Sequence, residues 1–190
     1  MNQLDRREAI RAAREILEAR PVYLDTETTG LDVSSEVVEI CVLDHDGRSL
    51  VNQLVRPSIP IPSDASRIHG ITDVVVASEP TWDEVWPLVD QAISGRRVAV
   101  YNADYDVMVM RQSHRKRRLE WRTPSARFVC LMKLYARYHG EWNSARQSYR
   151  WQSLDQAARQ CGIYAGQRHR AYEDTLLARA VLEHVAAQAE

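Results

Sequence analysis

Two short runs constrain the fold more than anything else in the chain: Val22-Tyr23-Leu24 and Val98-Ala99-Val100. Neither alternates apolar with polar residues. A strand that is apolar on both faces cannot lie open to water, so both runs predict strands in the middle of a sheet that is covered on each side. Helices supply such cover. Residues 3–19 repeat Ile10, Ala13, Ile16 and Leu17 at helical spacing, with Pro21 after the end. Thr81–Ile93 does the same through Trp82, Val85, Trp86, Val89 and Ile93. Ala103–Arg117, Ser153–Cys161 (capped by Ser153) and Arg170–Ala187 are the remaining predicted helices.

Val37–Leu43 and Leu50–Val55 read as two strands around His45-Asp46-Gly47-Arg48, whose Asp-Gly pair is a hairpin signal. With Val22–Leu24 they make a three-strand meander. Arg127–Cys130 is a further short strand. Residues 57–63 hold three prolines and read as a stiff loop, and residues 132–152, rich in Tyr, Trp, Arg and Ser, read as aperiodic. The order βββ-α-β-α-β-α-α predicts an α/β protein. A chain of 190 residues suits one domain, with 1–20 as a lead-in helix and 21–190 as the main body.

Acids appear where the apolar runs stop. Asp25 and Glu27 are two apart, so strand alternation puts them on one face. Crowded carboxylates repel unless a cation sits between them, and hard divalent cations prefer carboxylate oxygens. The plainer alternative is two solvated acids in a turn. Asp104 and Asp106 follow the second run at a helix start, where an acid also serves as a cap or complements the dipole. His169 and Asp174 open the last helix. Five residues advance a helix by about 500°, about 140° past a full turn, so the two side chains reach one site only if His169 precedes the helix. Alone, they read as an exposed imidazole and a dipole-favoured acid.

Together the segments say more. In the order D-x-E, N-A-x-Y-D and H-x₄-D, the chain resembles the DEDDh-type 3′→5′ exonucleases of the ribonuclease H-like superfamily. Asp25 and Glu27 in DTETTG resemble the first motif, Asn102-Ala103-Asp104-Tyr105-Asp106 the second, and His169 to Asp174 in HRAYED the third. Ile68-His69-Gly70-Ile71 resembles a segment of epsilon-like members. The likeness spans about residues 21–185. Arg170 stands four before Asp174, where the family's other branch carries tyrosine, so the base implied is His169.

The resemblance implies a mixed five-stranded sheet flanked by helices, and two divalent cations, Mg²⁺ or Mn²⁺. Asp25, Glu27, Asp106 and Asp174 would hold them, with Asp25 bridging. His169 would take a proton from the attacking water, and the products would be nucleoside 5′-monophosphates. It also implies that Thr28 and Thr29 meet the terminal 3′-OH, and that Leu31, His69, Ile71 and Tyr105 flank the terminal base beside Asn102. Tyr101 departs from the family pattern, in which His often precedes Asn-Ala. Asp104 is a spare acid, read more readily as a helix cap than as a ligand.

The partners implied are the 3′ ends of single-stranded DNA or RNA. A polymerase partner in trans and a homodimer are both compatible with the family. The formal net charge of −1 hides an asymmetry: residues 1–95 carry 8 Lys+Arg against 17 Asp+Glu, and residues 96–190 carry 17 against 9. Arg111, Arg115, Lys116, Arg117, Arg118, Arg122 and Arg127, with His114 among them, read as a solvated helix end or as a phosphate track. Arg146, Arg150, Arg168 and Arg170 are further candidates for strand contact. Tyr135, Tyr138, Trp142 and Tyr149 suit base stacking, whereas Trp151, Trp82 and Trp86 read as core. Three scattered cysteines and the absence of an apolar N-terminal segment point to a reducing, cytoplasmic setting without a membrane span. The other reading is a binding module of the same fold that has lost catalysis; a full set of four acids and a histidine speaks against it.

Overall fold

The computed structural model describes residues 3–122, 126–164 and 169–189. Helix α1 (Gln3–Glu18) leads into β1 (Val22–Thr28), β2 (Val37–Leu43) and β3 (Ser49–Leu54). Then come α2 (Ser63–His69), α3 (Asp73–Val76), α4 (Trp82–Ile93), β4 (Arg97–Val100), α5 (Ala103–Lys116), β5 (Arg127–Cys130) and α6 (Leu131–His139). A two-residue ribbon, β6 (Trp142–Asn143) with β7 (Ser148–Tyr149), precedes α7 (Leu154–Gln160) and α8 (Ala171–Ala186).

The five main strands stand in the order β3-β2-β1-β4-β5. β1 pairs antiparallel with β2 and parallel with β4, and β5 continues the parallel half. The sheet is therefore mixed, and the two wholly apolar runs occupy interior strands. One face packs on α1, α6 and α8 through Tyr23, Cys41, Leu43 and Ala99. The other packs on α4 and α5 through Val22, Leu24, Val98 and Val100. Helix α1 is part of this core: Ile10 and Ala13 are fully buried in it, and Arg6 and Arg14 bond to Tyr138 and to the carbonyl of Ala186.

Three segments differ from the expectation. β1 does not stop at Leu24 but runs to Thr28, because β2 pairs with it residue for residue as far as Glu27↔Glu39. Residues 57–62 form the expected loop, but two short helices, α2 and α3, follow it, held by burial of Ala65, His69, Ile71 and Val76. Helix α6 lies in the stretch read as aperiodic. Its buried set Leu131, Met132, Tyr135, Ala136 and Tyr138 is helical in spacing, and Gly140 ends it in the left-handed conformation at φ +79°.

Candidate active site

The cleft exists because β1 outruns β4. Their parallel pairing ends at Leu24↔Val100, so from Asp25 onward the β4 side of β1 is open. The chain leaves β4 through Tyr101 and Asn102 into α5, and a cleft of about 230 Å³ forms at the carboxyl ends of the two strands. Asp25, Asp106, His169, Asp174, Asn102 and Tyr105 line it.

Along β1 burial alternates: Asp25 and Glu27 are half-buried on one face, Thr26 and Thr28 buried on the other. Asp25 and Glu27 look toward α8, and ligand atoms of Asp25, Glu27 and Asp174 all lie within 4.8 Å of one another. Asp106 comes from α5, round the end of β4. The Thr26 hydroxyl donates to its Oδ1 at 2.8 Å, which holds it beside that triangle.

Four acids in one cleft cannot all ionise cheaply. Burial, then the charges of Asp106, Glu27 and Asp174, hold the Asp25 carboxyl well above its ordinary range. Burial and the neighbouring acids push Glu27 up to about 8, against a pull downward from Arg170. Burial raises Asp106 to about 7 despite its bond from Thr26. Asp174 stands at about 6, raised by burial and lowered by His169. Without compensation this cleft favours protons, and with it the donor set is all hard oxygen. That fits a divalent cation such as Mg²⁺ or Mn²⁺.

His169 lies on the loop before α8, as the angular argument requires, at φ +57°. Arg170 is the N-cap, and its guanidinium does not bond the helix. It forks onto Glu39 of β2, with Nη2 to Oε1 at 2.6 Å and Nε to the two oxygens at 3.1 and 3.0 Å. This removes Arg170 from the residues available to touch a strand. Glu39 itself was not anticipated. Its only signal is one acid inside the otherwise apolar VVEICVL. Asp155 at the start of α7 also lines the cleft without any motif to announce it.

The turn after β1 is braced rather than open. The Thr28 and Tyr105 hydroxyls are 2.7 Å apart, and both lie within hydrogen-bond distance of the Gly30 carbonyl, at 2.9 and 2.6 Å. The Thr29 hydroxyl accepts the Glu36 N–H at 3.0 Å, and Thr29 is buried inside the loop. Nδ1 of His69 accepts the Ile71 N–H at 3.0 Å, so Nε2 carries the proton and donates to the Thr28 carbonyl at 3.2 Å. Burial lowers the His69 pKa. His69 and Ile71 are only 5% and 2% exposed, so they support the turn from behind instead of walling a base. Leu31, 84% exposed, stands free on the rim. Asn102 is exposed at the start of α5.

The remaining polar and aromatic candidates divide. Asp104 forms an ion pair with Lys133 at 2.5 Å and makes no cap. His114 is buried in an aromatic cluster, where the Trp82 indole N–H donates to its Nδ1 at 2.9 Å, so it is no part of a basic surface. Arg117 turns back toward Asp83 and the Arg56 carbonyl, and Arg122 pairs with Glu120. Arg111 and Arg115, with Lys133, Trp121 and Phe128, line a groove of about 1030 Å³ that reaches Ala103 and Asp104 beside the cleft. Tyr135 and Tyr138 are core, whereas Trp151, expected in the core, is 60% exposed. Trp142 and Tyr149 meet edge to face on the ribbon. Arg168 lies outside the described residues.

The family model for exonuclease domains of the RNase_T type matches residues 22–182. The chain belongs to the exonuclease family. It is 37% identical over 179 residues to the uncharacterized exonuclease CP81 of Escherichia phage 186, covering 92% of each chain. It is 30% identical over 137 residues to the DNA polymerase III epsilon subunit of Pasteurella multocida, covering 66% of this chain and 54% of that one. The chain thus spans about half of that polymerase subunit. Among solved structures, exonuclease X bound to 5′-overhanging duplex DNA aligns with a TM-score of 0.62 at 26% identity, over 86% of this chain and 89% of that one. The nuclease domain of 3′hExo, a DEDDh member bound to rAMP, shares the fold with a TM-score of 0.67 at 16% identity, over 84% and 88%. The exonuclease reading is therefore that of a DEDDh-type 3′→5′ enzyme with a ribonuclease H-like sheet. Among the described residues, no helix is long and apolar enough to cross a membrane.

Proposed function

We propose that the chain removes nucleotides one at a time from the 3′ end of single-stranded DNA or RNA, releasing nucleoside 5′-monophosphates. The observation that carries this is the convergence of Asp25, Glu27 and Asp174 within 4.8 Å, in a cleft that His169 and Asp106 also line. Asp25, Glu27, Asp106 and Asp174 would hold two divalent cations, Mg²⁺ or Mn²⁺. Bound there, the cations supply charge to the scissile phosphate and acidity to the attacking water. His169 accepts the water's proton, and an imidazole suits that task near neutral pH. Placed ahead of the helix, it lines the same cleft as Asp174.

The braced turn at 28–31 is tied to the cleft through Tyr105. A chain terminus fits against that turn, with its 3′-OH at Thr28 and its last base between Tyr105 and Leu31. Asn102 sits where the preceding sugar would pass. The strand then continues into the groove beside α5, where Arg111 and Arg115 meet phosphates. Exonuclease X is solved with 5′-overhanging duplex DNA, in which the 3′ terminus is recessed and paired, so a duplex of that form belongs beside the single strands in the assay. The epsilon likeness extends the proposal to a polymerase partner acting in trans, tested by co-purification. A reducing cytoplasm is the compartment that suits three unpaired cysteines.

End-labelled DNA and RNA oligonucleotides with Mg²⁺ or Mn²⁺ test the reading. The expected result is a ladder that shortens from the 3′ end. Uncut oligonucleotide under both metals, or internal cuts, would overturn it.

A further inference from the structure

Glu39 takes no part in the chemistry above, yet it stands where a carboxylate is costly. It lies in the middle of β2, its side chain is 3% exposed, and its strand register sets it opposite Glu27. A buried acid beside another acid persists only if it is paired and hydrogen-bonded. Arg170 supplies the pair through its fork. The same carboxylate accepts the backbone N–H of Ala171, the first residue of α8, at 3.0 Å. Glu39 is thus the counter-ion of the N-cap residue and the acceptor for the first helical amide. It is supplied from a neighbouring strand and not from the helix itself.

The position of this clamp matters because of what flanks it. His169 comes one residue earlier and is held at φ +57°, a region that residues with a Cβ adopt only when their surroundings enforce it. Asp174 comes four residues later, and its N–H donates to the Arg170 carbonyl at 3.0 Å. Asp174 must also approach Asp25 and Glu27, so the first turn of α8 has to be anchored to the sheet.

We infer that Glu39 and Arg170 are a positioning pair that pins the first turn of α8 to β2, and so holds His169 and Asp174 at the cleft. The inference rests on the reading of His169 as the base. Neither residue touches substrate; they act through the two that do. The fork geometry is specific to arginine, since an ammonium offers one point of contact in place of two parallel donors.

The test uses Glu39→Gln and Arg170→Lys, each alone and combined with His169→Ala. Turnover of an end-labelled oligonucleotide is measured at saturating Mn²⁺, which keeps Asp174 engaged, so the remaining loss reports on His169. Amide exchange and thermal unfolding of the metal-free proteins are followed in parallel. Glu39→Gln is expected to lower kcat about 10- to 100-fold, as loss of orientation does, with KM within about threefold. Arg170→Lys should be milder, and the Ala171 amide should exchange faster in both. In the His169→Ala background neither change should cost more than about threefold, because residues acting as a unit are not additive. Parental kcat in a folded variant, or an equal loss in both backgrounds, overturns the clamp. Should Glu39→Gln fail to fold, Arg170→Lys keeps the charge and carries the test. A fully active His169→Ala enzyme sinks the base assignment and the clamp together. An inactive His169→Ala enzyme beside fully active Glu39→Gln and Arg170→Lys enzymes sinks the clamp alone.

Discussion

Replacing Glu27 by Gln is expected to stabilise the metal-free protein while it abolishes hydrolysis. Burial and the charges of Asp174, Glu39 and Asp106 push Glu27 from 4.5 up to about 8. The folded chain therefore binds this proton more tightly than the unfolded chain does. The stability that follows is fully present below pH 4.5 and drains away as the pH rises through about 8. Between pH 4.5 and 7 the parent loses about 1.4 kcal/mol per unit, or about 3 kcal/mol in all. Gln does not ionise and loses none of it. For a protein of this size that is a gap of about 6–12 °C in Tm at pH 7. Thermal unfolding of both proteins in EDTA at pH 5, 6, 7 and 8 measures it. The gap should be small at pH 5 and widen toward pH 8. Saturating Mg²⁺ should then raise the parent more than the variant, since cations bind its ionised acids. A gap that does not change with pH, or a variant less stable than the parent at pH 7, refutes the crowded-acid argument.

His169→Ala should lower kcat by about 10²–10⁴ while calorimetry finds Mn²⁺ affinity unchanged. Mg²⁺ binding at pH 6.5 should release protons, because Glu27 and Asp106 sit at about 8 and 7 in the metal-free cleft; titrations in buffers of different ionisation enthalpy will show this as a buffer-dependent heat. Arg111→Glu with Arg115→Glu should weaken binding of a ten-nucleotide strand and flatten its salt dependence by about one unit per lost phosphate contact, leaving dinucleotide hydrolysis intact. Equal effects on both substrates would remove the groove from the strand's path. Ile10→Ala should cost about 2–4 kcal/mol by urea unfolding, since Ile10 is fully buried under α6 and α8.

Much of the scaffold is legible from local pattern. The runs before Asp25 and Asp106 are interior strands, and Val37–Leu43 and Arg97–Val100 are strands with those same ends. Thr81 and Ser153 head helices through capping boxes, because a hydroxyl followed three residues later by Glu84 or Gln156 satisfies two helix donors at once. Helix α6 was hidden because Tyr and Arg dilute its apolar periodicity, and because its burial against α1 is a contact between distant parts of the chain. Trp151 precedes the Ser153 helix and yet is exposed, because burial is decided by what lies opposite.

By itself the sequence determined that Asp25 and Glu27 share one side of β1, and that His169 meets Asp174 only from ahead of the helix. Strand alternation and the angle between His169 and Asp174 are properties of a few bonded neighbours. Only the tertiary structure decided that β1 outruns β4, that Asp106 reaches the cleft around the gap, and that Glu39 holds the start of α8. It also decided that Thr29, His69 and Ile71 are buried at the turn. Each of these depends on strand register and on the packing of helices far apart in sequence. Register is a sum of many weak pairings, and no single segment carries it.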